Sequence, residues 1–149
     1  MALTDDITLL AGTPLLGLLE REPLRLLAFA AEIRTLNAGD VLFRKGDRSD
    51  GGYVVTDGAI VLDPGDGSPP FVAERGALVG RTSLLVRMAR PATAAARERA
   101  TVMRISPTLM RRVLEEFPSA ARTLHEAFSD EVATLAAGLE RVRERLLAI

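Results

Sequence analysis

Three guanidinium groups fall within ten residues, Arg81, Arg87 and Arg90, in the stretch Gly76-Ala-Leu-Val-Gly-Arg-Thr-Ser-Leu-Leu-Val-Arg-Met-Ala-Arg-Pro-Ala-Thr-Ala-Ala-Ala96. Cations this close favour a charged ligand, because each adds to the local positive potential. Catalytic chemistry has far less to work with. The chain has no cysteine, which excludes disulfides, thiolate metal sites and a cysteine nucleophile. Its single histidine, His125, sits in a helical pattern beside Glu126 and reads as a solvated helix residue rather than a general base. One histidine without cysteine leaves no His- or Cys-based metal cluster, and the serines and threonines have no evident base beside them. The expectation is a non-enzyme with no catalytic residue, no metal and no required cofactor.

Composition bounds the partners. The 149 residues suit one domain with one core, and 48% hydrophobic with 26% charged residues is ordinary for a globular chain. Formal net charge is −1, from 19 basic and 20 acidic side chains. Neither a basic excess nor an acidic tail is present, so no direct contact with nucleic acid is expected from this chain alone. The N-terminus, Met1-Ala-Leu-Thr-Asp-Asp6, lacks the positive flank of a signal peptide. The apolar run Leu24 to Ala31 is interrupted by Arg25 and far too short to span a bilayer. The reading is a cytoplasmic protein without a membrane segment.

Three blocks of different periodicity must position the arginines, within one domain covering 1–149. Residues 4–32 are leucine-rich and broken by Gly12, Pro14, Gly17 and Pro23, which predicts short helices, the better one opening at Glu22-Pro23 and running to about Ala31. Residues 33–105 alternate short runs of β-formers with glycine turns. Strands are predicted at Ile33–Leu36, Val41–Phe43, Tyr53–Val55, Ala59–Leu62, Phe71–Ala73, Ala92–Ala96 and Thr101–Ile105. Asp57-Gly58 carries the strongest hairpin signal. Residues 107–149 are helical, with Ser106-Pro107 as an N-cap and first turn and a break at Phe117-Pro118. Within about 124–149, Phe128, Val132, Leu135, Leu139, Val142, Leu146 and Ile149 recur at alternating steps of four and three. That is a heptad seam, and it predicts a homodimer through the C-terminal helix.

The ordered set Gly39, Phe43, Gly46-Asp47, Asp50-Gly51, Tyr53 and Gly58, inside Leu36 to Leu62, closely resembles the first half of cyclic-nucleotide-binding domains. These occur in catabolite-activator and Fnr-type regulators, in regulatory subunits of cyclic-AMP-dependent kinase and in cyclic-nucleotide-gated channels. The similarity extends from about Leu9 to Leu135. It implies a mostly β fold with α elements: a double-stranded β-helix, or jelly-roll, flanked by N-terminal helices and a long C-terminal helix.

The resemblance also implies a phosphate-binding cassette, a short helix between two strands. Its free N–H groups attract the phosphate, its arginine bonds the phosphate, and a glutamate accepts from the ribose 2′-hydroxyl. By this match Gly80 is the opening glycine, Arg81, Thr82 and Ser83 belong to the short helix, Arg90 is the phosphate arginine, and Pro91, Ala92 and Thr93 continue from it. Two positions depart from the pattern. Arg81 stands where the glutamate belongs and accepts no hydrogen bond. Pro91 stands where alanine or serine offers an N–H, and proline has none.

Three outcomes stay open on these residues: cyclic AMP or cyclic GMP bound as usual, another anionic nucleotide, or no ligand. The expected function is a regulatory ligand-sensing domain with a degenerate cassette. The alternatives are a ligand-free dimeric interaction protein and the sensor half of a transcription regulator. No helix-turn-helix is expected after the seam within these 149 residues.

Overall fold

The computed structural model describes residues 2–129 of the chain. Helix α1 (Ala2–Ala11) and helix α2 (Arg21–Ala30) flank a 3-10 turn at Leu16–Leu18. α1 is one unbroken helix, and Ile7 and Leu10 on its inner face are buried. α2 opens at Arg21, so Pro23 stands third in the helix rather than first. Its missing N–H is still one that a helix start leaves unpaired.

Eight strands follow among the described residues: β1 (Glu32–Leu36), β2 (Val41–Phe43), β3 (Gly52–Asp57), β4 (Ala59–Asp63), β5 (Phe71–Glu74), β6 (Leu78–Val79), β7 (Thr93–Ala96) and β8 (Ala100–Ile105). They form two antiparallel four-stranded sheets, ordered β1-β8-β3-β6 and β2-β7-β4-β5. This is a β-roll with helices at both ends. β6 is absent from the sequence reading because two residues carry no periodicity.

Asp57-Gly58 is a correction. It is not a hairpin turn: β3 pairs with β8 and β6, whereas β4 pairs with β5 and β7. The dipeptide is the corner at which the chain leaves one sheet for the other. Gly58 has φ +74°, and a Cβ there would stand 2.3 Å from the Arg99 carbonyl oxygen. The hairpin lies one turn later, where the Asp63-Pro-Gly-Asp-Gly67 loop joins β4 to β5, paired from Ala59↔Glu74 to Leu62↔Phe71.

Helix α3 (Pro107–Glu116) begins as expected, Ser106 Oγ accepting the Leu109 N–H at 3.0 Å. Phe117 leaves the helical conformation, and a further helix, α4, occupies 118–129 of the described residues. No helix among the described residues is long and apolar enough to cross a membrane. Of the seam, Phe128 is described and packs half-buried against the helical core. Val132, Leu135, Leu139, Val142 and Leu146 lie outside the described residues.

The apolar side chains separate into two cores. One fills the roll between the sheets, around Phe43, Tyr53, Val55, Ile60 and Val102. The other lies between the helices and the outer face of β3 and β8, where Val54, Met103 and Ile105 meet Leu10, Leu27, Met110 and Leu124. Alternation along β3 sends Tyr53 and Val55 into the roll and Val54 to the helices.

Candidate functional site

The cassette begins where β6 ends. Gly80 adopts a left-handed conformation (φ +76°, ψ +47°) and starts the 3-10 turn Arg81–Leu84. Its carbonyl accepts the Ser83 N–H at 3.0 Å, and the Thr82 carbonyl accepts from Leu85 and Val86. Leu84 is fully buried and belongs to the helical core, so the turn is anchored from behind.

The chain then runs back beside the Gly46-Asp47 turn. Ser49 donates its N–H to the Met88 carbonyl, and its hydroxyl accepts the Met88 N–H at 2.9 Å. The Arg90 N–H donates to the Asp47 carbonyl at 2.8 Å, and the Arg90 carbonyl accepts from Gly46 at 2.9 Å. Backbone bonds on both sides thus fix where the Arg90 side chain enters the roll.

That side chain is only 2% exposed. Its Nη2 donates to the Gly51 carbonyl at 2.8 Å and to Asp50 Oδ1 at 3.3 Å. Its guanidinium carbon lies 4.1 Å from the centroid of the Phe43 ring and 5.7 Å from that of Tyr53. Nε and Nη1 are buried without a hydrogen-bond partner. Burial pulls the Arg90 pKa below its ordinary value, against the opposing pull of Tyr53 and Asp50, yet arginine starts so high that it stays charged at neutral pH. Gly80 makes room for it: a Cβ at that position would stand 2.6 Å from Arg90 Nη1.

Asp50 is shared. Arg104 Nε lies 3.3 Å from its Oδ2, Arg104 Nη2 donates to its carbonyl at 2.8 Å, and the Tyr53 hydroxyl donates to Oδ1 at 3.2 Å. Arg104 also pairs with Glu32, which pairs with Arg34, and Arg34 Nη1 donates to the Tyr53 hydroxyl. Register explains the row, since Tyr53 and Glu32 both face Arg104 across β8. Burial raises the Tyr53 pKa, with Asp50 adding to it.

Gly80, Arg81, Thr82, Ser83, Arg90, Pro91 and Ala92 all line one cleft of about 270 Å³. Thr93 does not: its hydroxyl accepts the Lys45 N–H at 2.9 Å on the far side of the strand start. Arg87 is also elsewhere, beside Arg48 and Gly46 in a separate depression. Phe43, Leu62, Leu78, Val79 and Met88 complete the cleft and give it apolar walls. They escape a reading by charge and spacing because nothing local separates them from core residues. Asp50, Gly51 and Phe43 carried a signal as members of the ordered motif, but not one for contact with Arg90. His125 is exposed on α4 beside Leu85 and Val86, away from this cleft. Chemically the cleft offers a desolvated cation with unpartnered, buried donors, a second guanidinium on its wall and little else that is polar.

The family model of the cyclic nucleotide-binding domain matches residues 33–117. A cyclic nucleotide-binding-like protein from Brucella abortus bv. 1 str. 9-941 is 38% identical, with a TM-score of 0.66 over 74% of this chain and 98% of that one. The N-terminal domain of a transcriptional regulator from Streptomyces coelicolor A3(2) is 27% identical, with a TM-score of 0.79 over 88% of this chain and 94% of that one. The cAMP-dependent protein kinase regulatory subunit of Dictyostelium discoideum is 31% identical over 116 residues, 74% of this chain and 36% of its own length. The chain spans between 6% and 36% of the length of the curated relatives it matches.

Proposed function

The chain belongs to the cyclic nucleotide-binding domain family, and from that premise we propose that it is a regulatory ligand-sensing module that seats an anionic nucleotide with its phosphate on Arg90. One observation carries this reading: the Arg90 guanidinium is buried at the inner end of the cleft with Nε and Nη1 unpartnered. Unmet buried donors each cost about 1–3 kcal/mol. An anion in the cleft would recover that cost and compensate the charge, which the half-exposed Asp50 shares with Arg104.

The ribose side is altered. Arg81 offers no acceptor to a 2′-hydroxyl, and Pro91 offers no N–H to the phosphate. Losing a charged hydrogen bond costs about 1.5–3 kcal/mol, so cyclic AMP is held roughly a hundredfold or more less tightly than by a cassette with both contacts. Cyclic AMP and other anionic nucleotides are the ligand candidates, and the role is non-enzymatic. Leu84 supports a sensing role, because a cassette that moves with its ligand pulls a side chain seated in the helical core. On the seam and its composition, the module is a cytoplasmic homodimer through 124–149. The likeness to the Streptomyces regulator domain favours a second reading, the sensor half of a transcription regulator.

The test is a calorimetric titration of the purified protein with cyclic AMP, cyclic GMP, AMP and a dinucleotide. At least one should bind, and Arg90→Lys should weaken it about tenfold or more, because an ammonium loses the fork geometry. Arg81→Glu should strengthen cyclic AMP about tenfold or more by restoring the acceptor. Silence toward all four, or affinity indifferent to Arg90→Lys, overturns the reading. No gain from Arg81→Glu removes the ribose argument.

A further inference from the structure

A buried guanidinium is ordinarily held by acceptors around its rim, and every acceptor that holds it also occupies a donor. Arg90 is held differently. Only Nη2 is tied down, to Gly51 and Asp50, while the face of the group lies 4.1 Å from the Phe43 ring centroid. Tyr53 flanks the pair, its ring 6.1 Å from that of Phe43 and tilted by 33°. Phe43 is itself fixed, buried in the roll core with Val55, Ala94 and Ala96. Gly80 packs against the Nη1 side, where any side chain would collide, and supplies no acceptor to it.

We propose that Phe43 is a positioning residue for Arg90: its ring holds the guanidinium by the face and so leaves Nε and Nη1 without a protein acceptor that an anion would have to displace. An acidic partner in its place would have held the group by those donors and cancelled its charge. The ring attracts the cation through its negative π face and takes up no donor. A leucine in its place keeps the apolar volume and loses that attraction. The use of those donors rests on the anion-binding reading above, but the seat itself is a property of the ligand-free protein and is tested there.

The measurement is the ¹⁵N-resolved Nε–H signal of Arg90, assigned by its loss in Arg90→Lys. In the ligand-free wild type it should be displaced by the Phe43 ring current and exchange slowly with water. Phe43→Leu should return it to the range of mobile arginines and speed its exchange about tenfold, the scale of a desolvated cation–π contact. Phe43→Tyr keeps the π face and should preserve the wild-type signal. Ile60→Val trims the same core while keeping Phe43, Tyr53 and Arg90, and should leave the signal in place. Titration with AMP and cyclic AMP should show about tenfold weaker binding in Phe43→Leu and none of that loss in Phe43→Tyr. An unchanged Arg90 signal in Phe43→Leu, or a lost one in Phe43→Tyr with circular dichroism intact, overturns the proposal. If the wild type binds none of cyclic AMP, cyclic GMP, AMP and the dinucleotide while Phe43→Leu still releases Arg90, the seat stands and the ligand reading falls.

Discussion

At the scale of single residues, the molecule places charge where a β-roll ordinarily places hydrocarbon. Arg90, Arg104 and Arg34 share Asp50 and Glu32 at one end of the roll, and only Arg90 turns toward the cleft. Glu32 is the titratable end of this row: its hydrogen bond with Arg34, and secondarily its contacts with Arg104, hold its pKa below the ordinary 4.5. A carboxyl lowered on folding adds stability above its unfolded pKa and loses it as pH falls through the folded value. Glu32→Gln should therefore lower the urea midpoint at pH 7, by a small amount for so exposed a pair. The gap to wild type should close at acid pH, as the fall passes the lowered Glu32 value and the carboxyl takes up its proton. A gap of equal size at both pH values would show that Glu32 acts by packing and not by charge. Legibility at this scale was uneven. Arg81 and Arg90 stood out by type, Gly80 by the family match and Phe43 as a member of the ordered motif. Nothing marked Phe43 as facing a cation, since a phenylalanine on a strand looks the same whether it faces a cation or a valine.

At the scale of elements, turn chemistry is local but its consequence is not. Asp57-Gly58 has the composition of a hairpin turn, and Gly58 does take a positive φ. The strands it joins nevertheless diverge, because β3 finds its partner in β8, more than forty residues on. Dipeptide preference reports the bend and is silent about the partner. The corner is sterically closed: Gly58→Ala brings a Cβ within 2.3 Å of the Arg99 carbonyl oxygen at φ +74°. The strained backbone alone costs about 1–3 kcal/mol. The expected outcome is a loss of at least that size in guanidinium unfolding, with the displaced 97–99 connection adding to it. A loss below about 0.5 kcal/mol would mean that the corner opens freely. Gly39, on another turn, has positive φ but nothing near its absent Cβ. The Ser106 cap was legible in full, because a serine before proline needs no distant partner to start a helix.

At the scale of the whole molecule, two cores share one sheet. The strands β3 and β8 separate the roll from the helices, so the cassette meets both: Arg90 reaches Phe43 in the roll, and Leu84 reaches Met110 and Val113 in the helical core. A ligand that moves the cassette thus acts on the packing of α3. Its onward path is the seam proposed for 124–149, and Val132→Asp tests that assembly. A charge placed in a closed heptad seam costs about 2 kcal/mol or more when unpaired. Light scattering behind a sizing column should show a dimer for wild type and a monomer for the variant. A surviving dimer would assign the interface to another surface.

The sequence by itself carried the order of its blocks and the helix start at Ser106, which are written in local periodicity and capping chemistry. The class of fold and the readings of Arg81 and Pro91 came from the resemblance carried by the ordered motif. Only the tertiary structure decided which strands pair, that Asp57-Gly58 is a corner, that Thr93 faces Lys45, and that Arg90 is buried between Phe43 and Gly80 with two donors unpartnered. These depend on residues brought together across tens of positions, and burial of the roll as a whole is what selects that arrangement.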